Sequence, residues 1–127
     1  MTSLLFLAVA ALGGVGAVAR FLADAGLRRV IRTTLPIPIA LINITGSFAL
    51  GVVTALAATA VLDADLAIVL GAGFLGGYTT FSTASLDTVT LVRAGRFGEA
   101  LAIGFGTLVA SVAAAGLGLA LGYALAR

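Results

Sequence analysis

Four groups of polar residues interrupt an otherwise apolar chain, and each has a chemistry it could perform. Arg20 closes the run Gly13-Gly14-Val15-Gly16-Ala17-Val18-Ala19-Arg20. A fixed cation near a pore mouth attracts anions, whereas a long basic side chain near a helix end otherwise snorkels to the headgroups. Asn43 lies in Ile42-Asn43-Ile44-Thr45-Gly46-Ser47-Phe48. An amide in apolar surroundings must find a partner. Its NH2 can donate to an anion in a pore, or it can hold two helices together. The third group is Gly71-Ala72-Gly73-Phe74-Leu75-Gly76-Gly77-Tyr78-Thr79-Thr80-Phe81-Ser82-Thr83-Ala84-Ser85. Gly costs about 1 kcal/mol relative to Ala inside a helix, and Ser and Thr offer the backbone competing hydrogen bonds. A helix broken near Gly76 to Thr80 is expected, and such a break frees carbonyls for a cation and N–H groups for an anion. Glycine packing at the Gly73 and Gly77 spacing is the plainer reading, but it leaves Thr79, Thr80, Ser82, Thr83 and Ser85 without a reason. Last, Thr107 and Ser111 are four residues apart, which stacks both hydroxyls on one helix face. They form a polar track, or they bond back to their own helix carbonyls.

The elements that position these groups are set by the solvent, which must be hydrocarbon. The 127 residues are 61% hydrophobic and only 9% charged, with a mean hydropathy of +1.24. A soluble domain carries about 25% charged residues, and a chain this short cannot bury so much apolar surface in water. An ordinary cytosolic enzyme, a nucleic-acid binder and a disordered tail are excluded. There is no Cys and no His, which removes disulfides, thiol chemistry and His-based metal sites. With no paired buried acids and no Gly-rich phosphate loop carrying a Lys, the sequence does not read as an enzyme.

A spanning helix needs roughly 20 mostly apolar residues. Residues 4–19, 33–62, 66–86 and 100–126 carry no charge. They predict an all-α membrane protein, one four-helix transmembrane domain over 1–127, with spans at about 3–25, 36–61, 66–93 and 98–126. Short connections make neighbouring spans antiparallel. Met1 to Ser3 lack the basic residues that a signal peptide wants, so the first run reads as a span. Pro36 and Pro38 suit a helix start, Asp63 and Asp65 suit the N-terminus of the third span, and Arg93-Ala94-Gly95-Arg96 reads as a stop. Arg28, Arg29, Arg32, Arg93 and Arg96 fall in the first and third connections, against Arg127 alone on the opposite face. The positive-inside rule then puts the first and third loops in the cytoplasm and both termini outside.

Taken together, these segments resemble the Fluc (CrcB-type) fluoride channel family. The matching stretches are Gly13 to Arg20, Asn43-Ile44-Thr45-Gly46-Ser47-Phe48, Gly73 to Thr83, and Gly95-Arg96-Phe97-Gly98. The resemblance implies a fluoride-selective channel in a bacterial or archaeal plasma (inner) membrane that exports cytoplasmic fluoride passively. It implies two antiparallel subunits, narrow pores along their interface, and a structural sodium ion (Na+) at the centre. By motif position, the Gly76 and Thr79 carbonyls would hold the sodium. Asn43, Thr80, Phe81, Ser82, Thr107 and Ser111 would line the anion pore, and Arg20 would stand in a vestibule. The chain departs from the family pattern at Ala84, where a second Phe is usual, at Ile103, where Tyr or Asn is frequent, and at Pro38-Ile39, where a Gly-Thr pair is usual.

A subunit that pairs antiparallel with itself must insert both ways. Five basic residues against one favour a single orientation, so the expected partner is either a second copy or a related, oppositely oriented chain. Two other classes compete. A small multidrug-type cation/proton antiporter needs a carboxylate in the membrane, and Asp24, Asp63, Asp65, Asp87 and Glu99 all fall at or near span ends. Asp87 is the deepest and is expected near the interface. A structural membrane subunit with no transport would give no anion flux.

Overall fold

The computed structural model describes residues 2–127, and Met1 lies outside the described residues. Every regular element among them is helical. Four helical segments are long and apolar enough to cross a membrane: Ser3–Val30, Ile37–Ala58, Ala64–Arg93 and Phe97–Leu125. α1 (Ser3–Val30) begins where the Thr2 hydroxyl accepts from the Leu5 N–H. It runs five residues past the expected end at Ala25. The reason is electrostatic. Arg28 pairs with Asp24 one turn back at 2.9 Å, and Arg28 and Arg29 lie in the last turn, where cations complement the helix dipole. At 28 residues, α1 is about 42 Å long, so this turn projects beyond a hydrocarbon core of about 30 Å.

α2 (Ile37–Ala58) is capped by Pro36 and has Pro38 in its first turn, where a missing N–H is harmless. Asp63 caps α3 (Ala64–Ile68), its carboxylate accepting from the N–H groups of Asp65 and Leu66 at 3.0 and 3.2 Å. The third span then departs from the expected geometry in two ways. A π-helical stretch covers Val69–Leu75 and leads into one α-turn, α4 (Gly76–Tyr78). The glycines at 76 and 77 are therefore helical. The non-helical residues are Thr79 and Thr80, with ψ of 160° and 119°. α5 (Phe81–Arg93) restarts beyond them and α6 (Phe97–Leu125) returns. The stop between them is a Schellman turn: Gly95 has φ +74°, its N–H reaches Val92, and the Arg96 N–H reaches Leu91.

Small residues decide how the spans meet. A Cβ on Gly16 would run into the Phe74 carbonyl, and one on Gly77 into the Gly13 carbonyl. α1 and the first half of the third span thus pack backbone on backbone. Both expectations for the glycine-rich segment hold, since Gly73 and Gly77 pack tightly and the helix also breaks. α2 and α6 meet in the same way. A Cβ on Gly51 would strike the Ala115 carbonyl, and one on Gly118 the Phe48 carbonyl. Ala55, between them, is fully buried. The first and third connections share one face, because Arg96 Nη2 donates to Thr34 Oγ1 at 2.9 Å.

α2 ends in a second Schellman turn, with the Ala60 N–H on Ala57 and the Val61 N–H on Leu56. Its left-handed position is held by Ala60, at φ +56°. An L-residue with a Cβ pays about 1 kcal/mol or more to sit there, and Gly does not. Ala60→Gly is expected to stabilise the folded chain by about 1 kcal/mol, seen as a rise in melting temperature of the detergent-solubilised protein.

Candidate functional site: a hydroxyl-lined groove beside the broken helix

The break leaves Thr80 extended, with no helical partner for its N–H or its C=O. In a membrane each unpaired backbone group costs several kcal/mol. Asn43 on α2 meets both. Its Nδ2 donates to the Thr80 carbonyl at 2.9 Å, and its Oδ1 accepts from the Thr80 N–H at 2.8 Å. The Thr80 hydroxyl accepts from the Thr83 N–H at 3.2 Å, capping α5. It also donates to Thr83 Oγ1 at 3.1 Å and lies 3.3 Å from Ser82 Oγ. The N–H and the hydroxyl of Thr79 both donate to the Leu75 carbonyl. Arg20 Nε donates to the Gly77 carbonyl at 3.3 Å, so the cation stands at the negative end of the first half-helix. Its anchoring point is the break itself rather than only the headgroups. Among the described residues, the carbonyls of Gly76 and Thr79 accept no hydrogen bond. No group of three or more acidic side chains is arranged among those residues to hold a metal ion, so a cation here would rely on the backbone.

Beside the break, α2, α5 and α6 enclose an open groove of about 530 Å³. Asn43, Thr79, Thr80, Phe81, Thr107 and Ser111 all line it. Ser82, Gly76 and Arg20 do not. Ser82 and Gly76 are exposed on the chain surface, and Arg20 is half-buried against α4. Phe81 stands at the open edge with 87% of its surface exposed. Ala84, Ile103 and Ile39 also face the groove, so all three departures from the family pattern touch its wall.

Outside the Thr80 cluster, two kinds of helix hydroxyl stand out. Thr45, Thr54, Thr59, Thr79, Thr88 and Thr90 each donate to the carbonyl four residues back. Ser47, Ser85, Thr107 and Ser111 line the groove, and none of them has a hydrogen bond among the described residues. Ser111 Oγ is buried with no partner at all. Thr107 and Ser111 therefore do not bond back to their own helix, and both face the groove. The sequence reading missed Ser47, Ser85 and Asp87 as site residues. A signal existed, since Ser47 follows Asn43 by four and Ser85 follows Phe81 by four, the same face spacing that picked out Thr107 and Ser111. Asp87 was expected near the interface. It also lines the groove, with Oδ2 buried and unpartnered. Outside the spans, the Arg96 guanidinium is held above its ordinary value by its hydrogen bond to Glu99.

Four antiparallel spans, a broken third helix and a groove of free donors define a small multi-pass membrane protein built around a polar path. Comparison with known proteins supplies the family. Residues 7–119 match the model described as CrcB-like protein, Camphor Resistance (CrcB), and the chain belongs to that family. A protein of Leifsonia xyli named fluoride-specific ion channel FluC 1 is 49% identical over 122 residues, covering 96% of this chain and 89% of its own. One from Rhodospirillum centenum, fluoride-specific ion channel FluC, is 45% identical over 118 residues, covering 92% and 94%. A third, fluoride-specific ion channel FluC 2 of Moorella thermoacetica, is 39% identical over 107 residues, covering 84% and 87%.

The Asn43 clamp generates a prediction about stability. Asn43→Ala leaves the Thr80 N–H and C=O without partners and is expected to cost about 3 kcal/mol. Asn43→Asp sets a carboxylate oxygen against the Thr80 carbonyl and is expected to cost at least as much. Thermal melts of the purified variants in detergent check both, and a melting temperature equal to wild type would remove the clamp from the stability of the break.

Proposed function

We propose that the chain is a subunit of a fluoride-selective channel that lets cytoplasmic fluoride leave down its gradient. The observation that carries this reading is the row of unbonded hydroxyls facing one groove. Fluoride is small and strongly hydrated, so a path must replace its water with hydrogen-bond donors. Ser47, Ser85, Thr107 and Ser111 supply them with no fixed positive charge, which keeps binding weak enough for the ion to leave. The positive ring edge of Phe81 can also face an anion. The Asn43 amide adds a second Nδ2 hydrogen, since its hydrogen bond to Thr80 uses only one.

The pore itself belongs to a dimer. The groove is open and Phe81 lies at its edge, so a second, antiparallel subunit would close it. That subunit is either a second copy or a related chain of opposite orientation. Two features favour the related chain. The basic residues are biased to the face of the first and third loops, and Ala84 leaves a gap where a partner's aromatic ring would fit. The numbered names of several relatives, FluC 1, 2 and 3, agree with more than one such chain in an organism. A sodium ion at the dimer centre would sit on the unbonded Gly76 and Thr79 carbonyls, with Arg20 in the adjoining vestibule. The protein would lie in a bacterial or archaeal plasma membrane, with the first and third loops in the cytoplasm and the termini outside.

Fluoride efflux from liposomes, with the chain alone and with a related partner, tests the reading. Ser111→Ala is expected to slow efflux about tenfold, the worth of one hydrogen bond to an ion. It should not lower the melting temperature and is expected to raise it slightly, because the buried hydroxyl has no protein partner to lose. Exchanging sodium for a large organic cation is expected to weaken subunit assembly. Proton-coupled cation exchange without fluoride flux would point instead to an antiporter working through Asp87.

A further inference from the structure

We propose that the groove continues past Asp87 into a second cavity on the face of the first and third loops, and that Arg28 offsets the Asp87 charge at the junction so that an anion can pass. The identity of the ion rests on the fluoride reading, while the junction rests on geometry alone.

The second cavity measures about 180 Å³, and Arg28, Thr33, Asp87, Thr90 and Arg96 are in its wall. Pro36 and Asp87 line both cavities. A carboxylate with one oxygen buried and unpartnered thus stands where the two spaces meet. A bare negative charge beside a narrow anion path repels the ion, most strongly where little water screens it.

The charged groups around the second cavity come from three elements. Asp24 and Arg28 lie on α1, Asp87 on α5, and Arg96 and Glu99 at the start of α6. Arg96 is committed elsewhere: its Nε donates to Glu99 at 2.8 Å and its Nη2 to Thr34. Arg28 Nε is held by both Asp24 oxygens at 2.9 and 3.0 Å, which leaves its Nη groups unbonded among the described residues. Arg28 is paired with Asp24 and shares the wall of the second cavity with Asp87. The three groups sum to one negative charge with Arg28 present and to two without it. Arg28 acts through Asp87, as a positioning residue of the path.

A double-mutant cycle in liposomes reads this directly. Arg28→Gln is expected to slow fluoride efflux about tenfold. In an Asp87→Asn background the same change should slow it less than twofold. Equal slowing in both backgrounds overturns the proposal. A second measurement needs no conduction. The chain has no Cys, so Thr90→Cys places a unique thiol in the second cavity. Its rates with an anionic and a cationic thiosulfonate reagent, applied from the loop face, report the local charge. Arg28→Gln is expected to shift the rate ratio about tenfold toward the cationic reagent. An unchanged ratio overturns the proposal whether or not the chain conducts. A wild-type chain that carries no fluoride yet shows the shift would sink the fluoride reading and leave the charge offset standing.

Discussion

One amide holds the structure in its working form. A helix that breaks inside hydrocarbon exposes backbone polar groups that water cannot reach, and those groups must be paired or the break cannot exist. Asn43 pairs both groups of Thr80 at once. It does for one residue what a neighbouring strand would do in a sheet. The rest of the site follows. With Thr80 extended, its hydroxyl is placed to cap α5, and Phe81 is turned out to the groove edge. The same amide fixes the distance between α2 and α5, and so the width of the groove that these helices share with α6.

The glycine contacts set where that break can fall. α1 meets the third span at Gly13, Gly16, Gly73 and Gly77, with carbonyls where side chains would otherwise lie. Such close approach holds the first half-helix rigidly, while the π-helical stretch across Val69–Leu75 shifts its register relative to a regular α-helix. Arg20 then ties the Gly77 carbonyl to α1. The first half is thus anchored to α1 and the second to α2 and α6. The two threonines between them are left to change direction. Packing and hydrogen bonding agree on the same two residues, which is what a unique break requires.

Much of this was legible in residue types. The spans follow from charge-free runs, the α2 and α3 starts from Pro36, Pro38 and Asp63, and the stop from Gly95. Asn43, Thr80, Phe81, Thr107 and Ser111 were picked out by being polar or aromatic at membrane depth, and the groove brings them together. What stayed hidden depended on three-dimensional facts. Whether Thr107 bonds back to its helix or faces a groove cannot be read from a threonine. The π-helical stretch packs against α1, a segment some sixty residues away in the chain. The first span ran longer than its apolar run because an Asp24–Arg28 pair extends a helix beyond the membrane, where hydropathy no longer counts. Ser82 was grouped with the pore by its place in the motif, and it lies on the exposed surface of the chain, outside the groove lining.

The groove's chemistry is best seen in what the fold leaves undone. A buried hydroxyl with no partner costs roughly 1–3 kcal/mol, and half of the threonines in this chain bond back to their own helix. Ser111 does not, and Ser47, Ser85 and Thr107 share its wall. A chain selected for stability alone would satisfy these groups or replace them with Ala, which is abundant here. Keeping them unbonded leaves donors free to turn toward the space they face. On the proposed anion path, these hydroxyls could turn to an arriving ion without first breaking a bond to the protein. On that same proposed path, the carboxylate of Asp87 at one end of the row would limit how tightly an anion is held, and a path that binds weakly along its length is one that an ion can leave.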